Sequence, residues 1–409
     1  MSQPCSRISV VFRKFAARRE LLVIASLLHG CSPVANSTVT AAKSGHSAGG
    51  IMSVPRTVVT AREALTVNEL YDRGMRRFSD HQYALAAQDL ETATAAAPEQ
   101  PWVPTAYYTA AIARDLSGGF SACSDDLRKV VDHPQVTPEQ RDAHLRLVRV
   151  LVYLERWQEA GQRAEAMLQR YQNLRTLESI VVLGAKALAE LADDKVDRAE
   201  RDVEEARTLI EQGQFQLPVK LHRDVAVIYF ALGEIRLARA EAIRFVPPPA
   251  DFADRLERRC QLLLDAQSAY SNSMRAYDSH WSLMAGYRVG LLYAHLHSDL
   301  MAMLSEVSFE SPGREKLFEA ALRLRYSVLL AKAVDLMQHT LALASRTEDD
   351  SSWVELTRRS YLELKESLAK EEEALRQVPF SRDELRAALD GLKKNPKKNG
   401  GAKLHPKSQ

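Results

Sequence analysis

One regularity limits how this chain can fold more than any other feature. An aromatic or branched residue stands three positions before a small one at Tyr83–Ala86, Phe120–Cys123, Trp157–Ala160, Val196–Ala199 and Ile235–Ala238, at spacings of 37, 37, 39 and 39 residues. A fixed period of this size marks supersecondary units that bury their apolar faces by stacking on one another. Independent helices have no reason to keep so even a beat. Only 17 glycines and 16 prolines interrupt the 409 residues, and long stretches are crowded with Ala, Leu, Arg and Glu. That is a helical composition.

Other positions fall into line with the beat. The first unit carries Leu70, Gly74, Tyr83, Ala86, Leu90, Ala93 and Pro98, and the second Tyr107, Ala111, Gly118, Phe120, Cys123, Leu127, Val130 and Pro134. The third and fourth are looser but keep Trp157, Ala160 and Ala164, then Ala199, Val203 and Ala206. A fifth reads Ala226, Tyr229, Gly233, Ile235 and Ala238, before Pro247-Pro248-Pro249. Small residues let paired helices approach, and large ones at i, i+3, i+4 and i+7 fill between them. Over residues 66–250 this pattern resembles the tetratricopeptide repeat family. The expected fold is all-α: a helix-hairpin solenoid of about five to six repeats followed by a helical C-terminal region.

Helix starts agree with that register. Thr66-x-x-Glu69 is a capping box before the first unit, and Thr137-Pro138-Glu139-Gln140 places an N-cap, a proline and Gln before the third. The excess over the family's usual repeat length is expected in turns such as His133–Glu139 and Gln212–Pro218. The proline run is expected to close the regular array. Beyond it, residues 251–392 read as a divergent helical cap, with helices near 251–275, 279–303, 315–345, 351–376 and 381–393. Val289-Gly290-Leu291-Leu292-Tyr293 looks like the first helix of a sixth unit, inside an apolar segment, 280–304, that should be buried. Ser311-Pro312, Ser352-x-x-Glu355 and Ser381-x-x-Glu384 read as further helix starts.

The resemblance implies a binding surface. In this family the first helix of each unit lines a groove, and repeat arrays act by presenting a concave face. Carried over residue by residue, the groove positions are Tyr71, Met75, Tyr108, Ile112, Leu145, Arg149, Arg223 and Val227. Tyr and Arg are frequent hot spots, so the set suits an amphipathic helix or an extended segment. The Lys and Asn pair with which chaperone-binding members grip a terminal carboxylate is missing at the matching positions.

The N-terminus reads as an address. Arg13, Lys14, Arg18 and Arg19 precede the apolar run Leu21–Leu28, and Leu28-His29-Gly30-Cys31 resembles a bacterial lipobox, with His29 as its departure from the pattern. Residues 1–30 are expected to be a lipoprotein signal peptide and Cys31 the lipidated residue. Residues 31–65 are small, polar and aperiodic, and read as a flexible tether. Ser32 after the cysteine favours the outer membrane by analogy. The resemblance implies a diacylglycerol and usually an N-acyl chain, enough for stable anchoring.

Charge and chemistry narrow the function further. The net charge of +2 combines +4 in residues 1–30, +6 in the lysine run 393–409 and −8 in the body between them. An acidic body argues against nucleic-acid binding, and the basic tail reads as disordered. Cys5, Cys31, Cys123 and Cys260 lack the spacing of a zinc or redox motif. Cys123 and Cys260 should be free and buried. His295 and His297 sit two apart on a helix and point away from each other. No phosphate-binding, nucleotide-binding, serine-hydrolase or zinc-protease signature is present. The sequence predicts no enzyme, no cofactor, no metal and no small-molecule substrate. It predicts a lipid-anchored scaffold that meets envelope proteins through its concave face, of the surface-motility, pilus or secretion type. The alternatives are a cytoplasmic repeat adaptor without an anchor and a helical hydrolase with an unrecognised site.

Overall fold

The computed structural model describes residues 65–387, apart from 214, 216–220, 247, 248, 250, 307–310 and 350. Cys31, the signal segment, nearly all of the tether and the lysine tail lie outside the described residues. Four helical hairpins come first: α1 (Val67–Ser79) with α2 (Tyr83–Ala96), α3 (Val103–Leu116) with α4 (Phe120–Val131), α5 (Gln140–Tyr153) with α6 (Trp157–Arg170), and α7 (Thr176–Ala192) with α8 (Val196–Gln212). A short 3-10 turn, Arg223–Val225, then leads into further helices. These are α9 (Ala226–Glu241), α10 (Phe252–Met274), α11 (Ser279–Ser305), α12 (Pro312–Thr347) and α13 (Ser352–Gln377). Each helix packs on the next. The odd-numbered helices also touch one another, α1 on α3, α5 on α7, α7 on α9, α9 on α11 and α11 on α13. They form an inner layer, and the even-numbered helices lie outside it.

The beat has a backbone cause that the side-chain pattern only hinted at. Inside each of the first four hairpins the residue two before the second helix is left-handed: His81 (φ 61°), Gly118 (φ 79°), Glu155 (φ 57°) and Asp194 (φ 58°). Only Gly118 has the residue type that signals this conformation in a sequence. The small positions that follow, Ala86, Cys123, Ala160 and Ala199, are 0–1% exposed, as packing residues must be. A second repeat signature is ionic. Arg77 bonds Asp89 at 2.7 Å, and one unit later Arg114 bonds Asp126 at 2.5 Å. Burial holds the Asp126 carboxyl up at about 6 despite its Arg114 and Lys129 neighbours.

The fifth unit departs from the expected register. Gly233-Glu234-Ile235 resembles the turn Gly118-Gly119-Phe120, yet α9 runs through it unbroken. Gly233 is used for close approach instead: a Cβ there would lie 2.5 Å from the Tyr270 ring of α10. Ala238 is therefore only half-buried. The fifth hairpin is α9 with α10, packed together across the proline run rather than closed before it. The sixth is α11 with α12, where Gly286 and Gly290 meet Thr340 and Met337. The apolar segment 280–304 is enclosed as expected, by α9, α10, α12 and α13.

Helix starts are a mixed outcome. Thr66 and Glu69 form the capping box, Ser311 caps α12 with Pro312 in its first turn, and Ser381 and Glu384 exchange hydrogen bonds. Thr137 does not cap α5, which begins at Gln140. The Gln140 amide instead donates to the carbonyls of Val131 (2.9 Å) and His133 (3.2 Å), closing the end of α4. Ser352 is the first residue of α13, not its cap. Cys123 is buried and Cys260 partly exposed, both are free thiols, and burial pushes each up to about 12.

Candidate functional site on the inner face

The inner layer encloses a cavity of about 360 Å³ where hairpins from both halves of the chain converge. Its apolar walls are Phe120 at the start of α4, Val150, Val152 and Tyr153 of α5, Val181 of α7, Val227 of α9 and Trp281 of α11. Its polar groups are Asp115, Arg146, Arg149, His222, Arg223 and Asp224. The helical period sets this division. Arg146, Arg149 and Tyr153 recur three and four residues apart, so they share the face of α5 that looks inward.

Tyr153 joins the two halves. Its ring stacks on His280 at 4.4 Å and meets the edge of Trp281 at 5.9 Å. Its hydroxyl donates to Asp278 at 2.6 Å and accepts from Nε of Arg223 at 2.9 Å. Asp278 also caps α11, accepting from the Trp281 N–H, and it bonds Arg223 at 2.8 Å. Burial, and next the Asp278 charge, push the Tyr153 phenol well above its ordinary value. Burial also pushes His280 down to about 4. This end of the site is therefore held by a neutral imidazole and a protonated phenol across the physiological range.

The arginines are held by carboxylates of the same chain. Arg149 bonds Asp224 at 2.5 Å. Arg146 bonds Asp142 at 2.8 Å and Asp115 at 3.6 Å. The Tyr108 hydroxyl donates to Asp142 and accepts from Arg146 at 3.3 Å. Burial alone would raise the Asp142 carboxyl, but hydrogen bonds from Tyr108 and Arg146 outweigh it and hold it low.

The eight expected groove residues divide. Arg149, Arg223 and Val227 line the cavity. Tyr108 stands behind it through Asp142 and Arg146. Leu145 is 4% exposed and belongs to the core. Tyr71 stacks on Trp102 at 4.6 Å, and with Met75 packs inside the first two hairpins. Ile112 is half-buried and does not line the cavity. Sequence reasoning missed Phe120, Tyr153 and Trp281 as site residues. Phe120 was visible only as a repeat marker. Tyr153 and Trp281 meet because distant units converge, which no local periodicity records.

Among the described residues no three His, Cys, Asp or Glu side chains gather as metal ligands. Among them, too, no helix is long and apolar enough to cross a membrane. The left-handed turns, the inner layer of first helices and the small contact positions together decide the architecture. The fold is a tetratricopeptide solenoid. No family model and no curated protein matches the sequence. Among solved structures, a tetratricopeptide repeat protein from Parabacteroides merdae is 11% identical, covering 71% of this chain and 98% of that one with a TM-score of 0.36. The P58(IPK) TPR domain is 16% identical, covering 80% and 97% with a TM-score of 0.27. Arrays of this kind work by offering surfaces to other proteins.

Proposed function

We propose that this tetratricopeptide solenoid is a protein-binding scaffold tethered to a bacterial membrane through lipidated Cys31, serving an envelope complex. The observation that carries the binding half is the inner-face cavity, which unites residues of several hairpins around one aromatic and arginine-rich centre. Its size lies within the range of pockets that hold a bound group. Tyr, Trp and Arg, the residue types richest in binding energy, all line it. The anchoring half rests on the sequence order of basic cluster, apolar run, cysteine and polar segment. The surface-motility, pilus or secretion setting, and the outer membrane, rest on that architecture alone.

Membrane fractionation with intact-mass measurement tests the anchor. The expected product begins at Cys31, carries acyl mass and partitions into detergent, and Cys31→Ala leaves an unprocessed precursor. A native protein that keeps Met1 contradicts this part. For the binding half, Tyr153→Ala and Trp281→Ala are each checked for native helicity and used in pull-downs from solubilised membranes. Loss of the same partner from both supports the cavity. Retention by both moves the binding surface elsewhere.

A further inference from the structure

The cavity's charges bear on what it accepts and on what keeps it from accepting it. The body of the chain is acidic, yet three arginines, Arg146, Arg149 and Arg223, converge here. Each already holds an aspartate. For two of them that aspartate comes from a remote stretch: Asp224 lies 75 residues beyond Arg149, and Asp278 caps α11 in another hairpin. The aspartates thus occupy the positions a partner's carboxylates would take. The fit at Arg149 is incomplete. Asp224 takes one terminal nitrogen at 2.5 Å, while the buried Nε has no hydrogen-bond partner. A guanidinium offers five donors in a fork, and a carboxylate gripping two of them binds more strongly than a single contact. A buried donor without a partner is costly, and a better-placed carboxylate would relieve that cost.

We propose that the inner-face cavity receives an acidic protein segment carrying one bulky apolar side chain, and that Asp224 and Asp278 act as a built-in competitor for the arginines. This rests on the scaffold reading and names its partner class and its regulation. The apolar side chain enters between Phe120, Val181 and Trp281. The segment's carboxylates displace Asp224 from Arg149 first, because Asp224 leaves the buried Nε of Arg149 without a partner. The opposite charge class is disfavoured. Of the carboxylates lining the cavity only Asp115 is loosely held, at 3.6 Å from Arg146, so a basic segment would find little to bond. Because Asp224 is tethered beside Arg149, its effective concentration is high and the unassisted site binds weakly.

The probe is a fluorescent sixteen-residue amphipathic peptide with one Trp and four Glu at helical spacing, compared with its Lys counterpart. The protein is the chain from Ser32 onward. Asp224→Asn keeps size and shape but removes the charge. Wild type should bind the Glu peptide weakly, Asp224→Asn on the order of tenfold more tightly, and Arg149→Gln not at all. The Lys peptide should bind none of them. If Asp224→Asn loses helicity, Asp278→Asn, which keeps the oxygen that caps α11, carries the test with the same expected direction. Equal or weaker Glu-peptide binding in the folded Asp→Asn variant overturns the competitor. Binding of the Lys peptide overturns the charge class. Failure of every protein to bind the Glu peptide, while a photoreactive group at Phe120 still captures a cellular partner, refutes this inference and leaves the scaffold reading standing. Failure of both removes the scaffold reading as well.

Discussion

The first four hairpins and the later helices solve the same packing problem in two ways. Helices α1 to α8 are 12–17 residues long, and each of these hairpins turns on a left-handed residue followed by a small packing residue. Helices α10 to α13 are 23–36 residues long, and in two later hairpins the helices approach at glycines within the helix, Gly233 against Tyr270 and Gly290 against Met337. Short units must repeat their turn, so they repeat its sequence. Long helices can meet anywhere along their length, so they carry no beat. Gly118 marks a turn in the first region, while Gly74, Gly161 and Gly184 there mark close contacts, as Gly233 and Gly290 do later. The same residue type carries two kinds of structural information, and its place between helices or within one decides which.

The comparison breaks most readily at the buried ion pairs of the first region. Asp126 is 0% exposed and held by Arg114. Asp126→Ala leaves that arginine short of a partner inside the second hairpin and is expected to cost about 3 kcal/mol, read from the denaturant midpoint. A cost below about 1 kcal/mol would mean that the pair is incidental to the repeat.

The contact positions come next. Gly233→Ala puts a methyl into the Tyr270 ring and should cost about 1–3 kcal/mol, as should Ala160→Leu at its 0% exposed site. Ala238→Leu, at a half-buried position, should cost clearly less. If Ala238→Leu proves the worst of the three, α9 is broken where the beat would break it, and the fifth hairpin closes before the prolines.

Gly233 and Ala238 also explain what the sequence revealed and what it hid. The hairpin architecture was legible, because Tyr83, Phe120, Trp157 and Val196 begin second helices at the expected spacing. The fifth beat was illusory. Gly233 precedes Ile235 as Gly118 precedes Phe120, and only the ring of Tyr270 distinguishes a contact glycine from a turn glycine. The long helices after the prolines were legible from their caps and apolar runs. Of the site, Arg149, Arg223 and Val227 were legible as inward positions, whereas Asp224, Asp278 and Trp281 were not. They reach the cavity through the curvature of the whole array, which is a sum over units rather than a property of any one of them.

Acid sharpens the comparison with a smaller effect. Burial holds His144 in the first region and His280 in the second near 4, against 6.5 when unfolded. The unfolded chain therefore takes up these protons first, and stability is lost as pH falls from about 6.5 toward 4. Each histidine contributes a slope of at most about 1.4 kcal/mol per pH unit. Asp126, raised to about 6 from 3.8, works in the opposite direction within that window, so the net slope is shallower than two histidines alone would give. His280→Phe, which keeps a ring against Tyr153, should flatten the acid limb of a plot of melting temperature against pH. An unchanged limb would mean that His280 is accessible to protons in the folded state.

The smallest expected effect is a gain. Asp194 is left-handed at φ 58° and exposed, and a non-glycine residue pays for that conformation. Asp194→Gly should raise stability by about 0.5–1 kcal/mol in the same denaturant assay. A loss there would show that the side chain, not the turn, is what the position needs.

The central claim is that the inner face, where the two regions meet, is where other proteins are held. Photo-crosslinking in cells tests it most directly, with benzoylphenylalanine placed either at Phe120, inside the cavity, or at Glu205, on an exposed face of α8. The account predicts discrete crosslinked species from Phe120, their loss on adding Arg149→Gln, and none from Glu205. Crosslinks from Glu205 with none from Phe120 would contradict it.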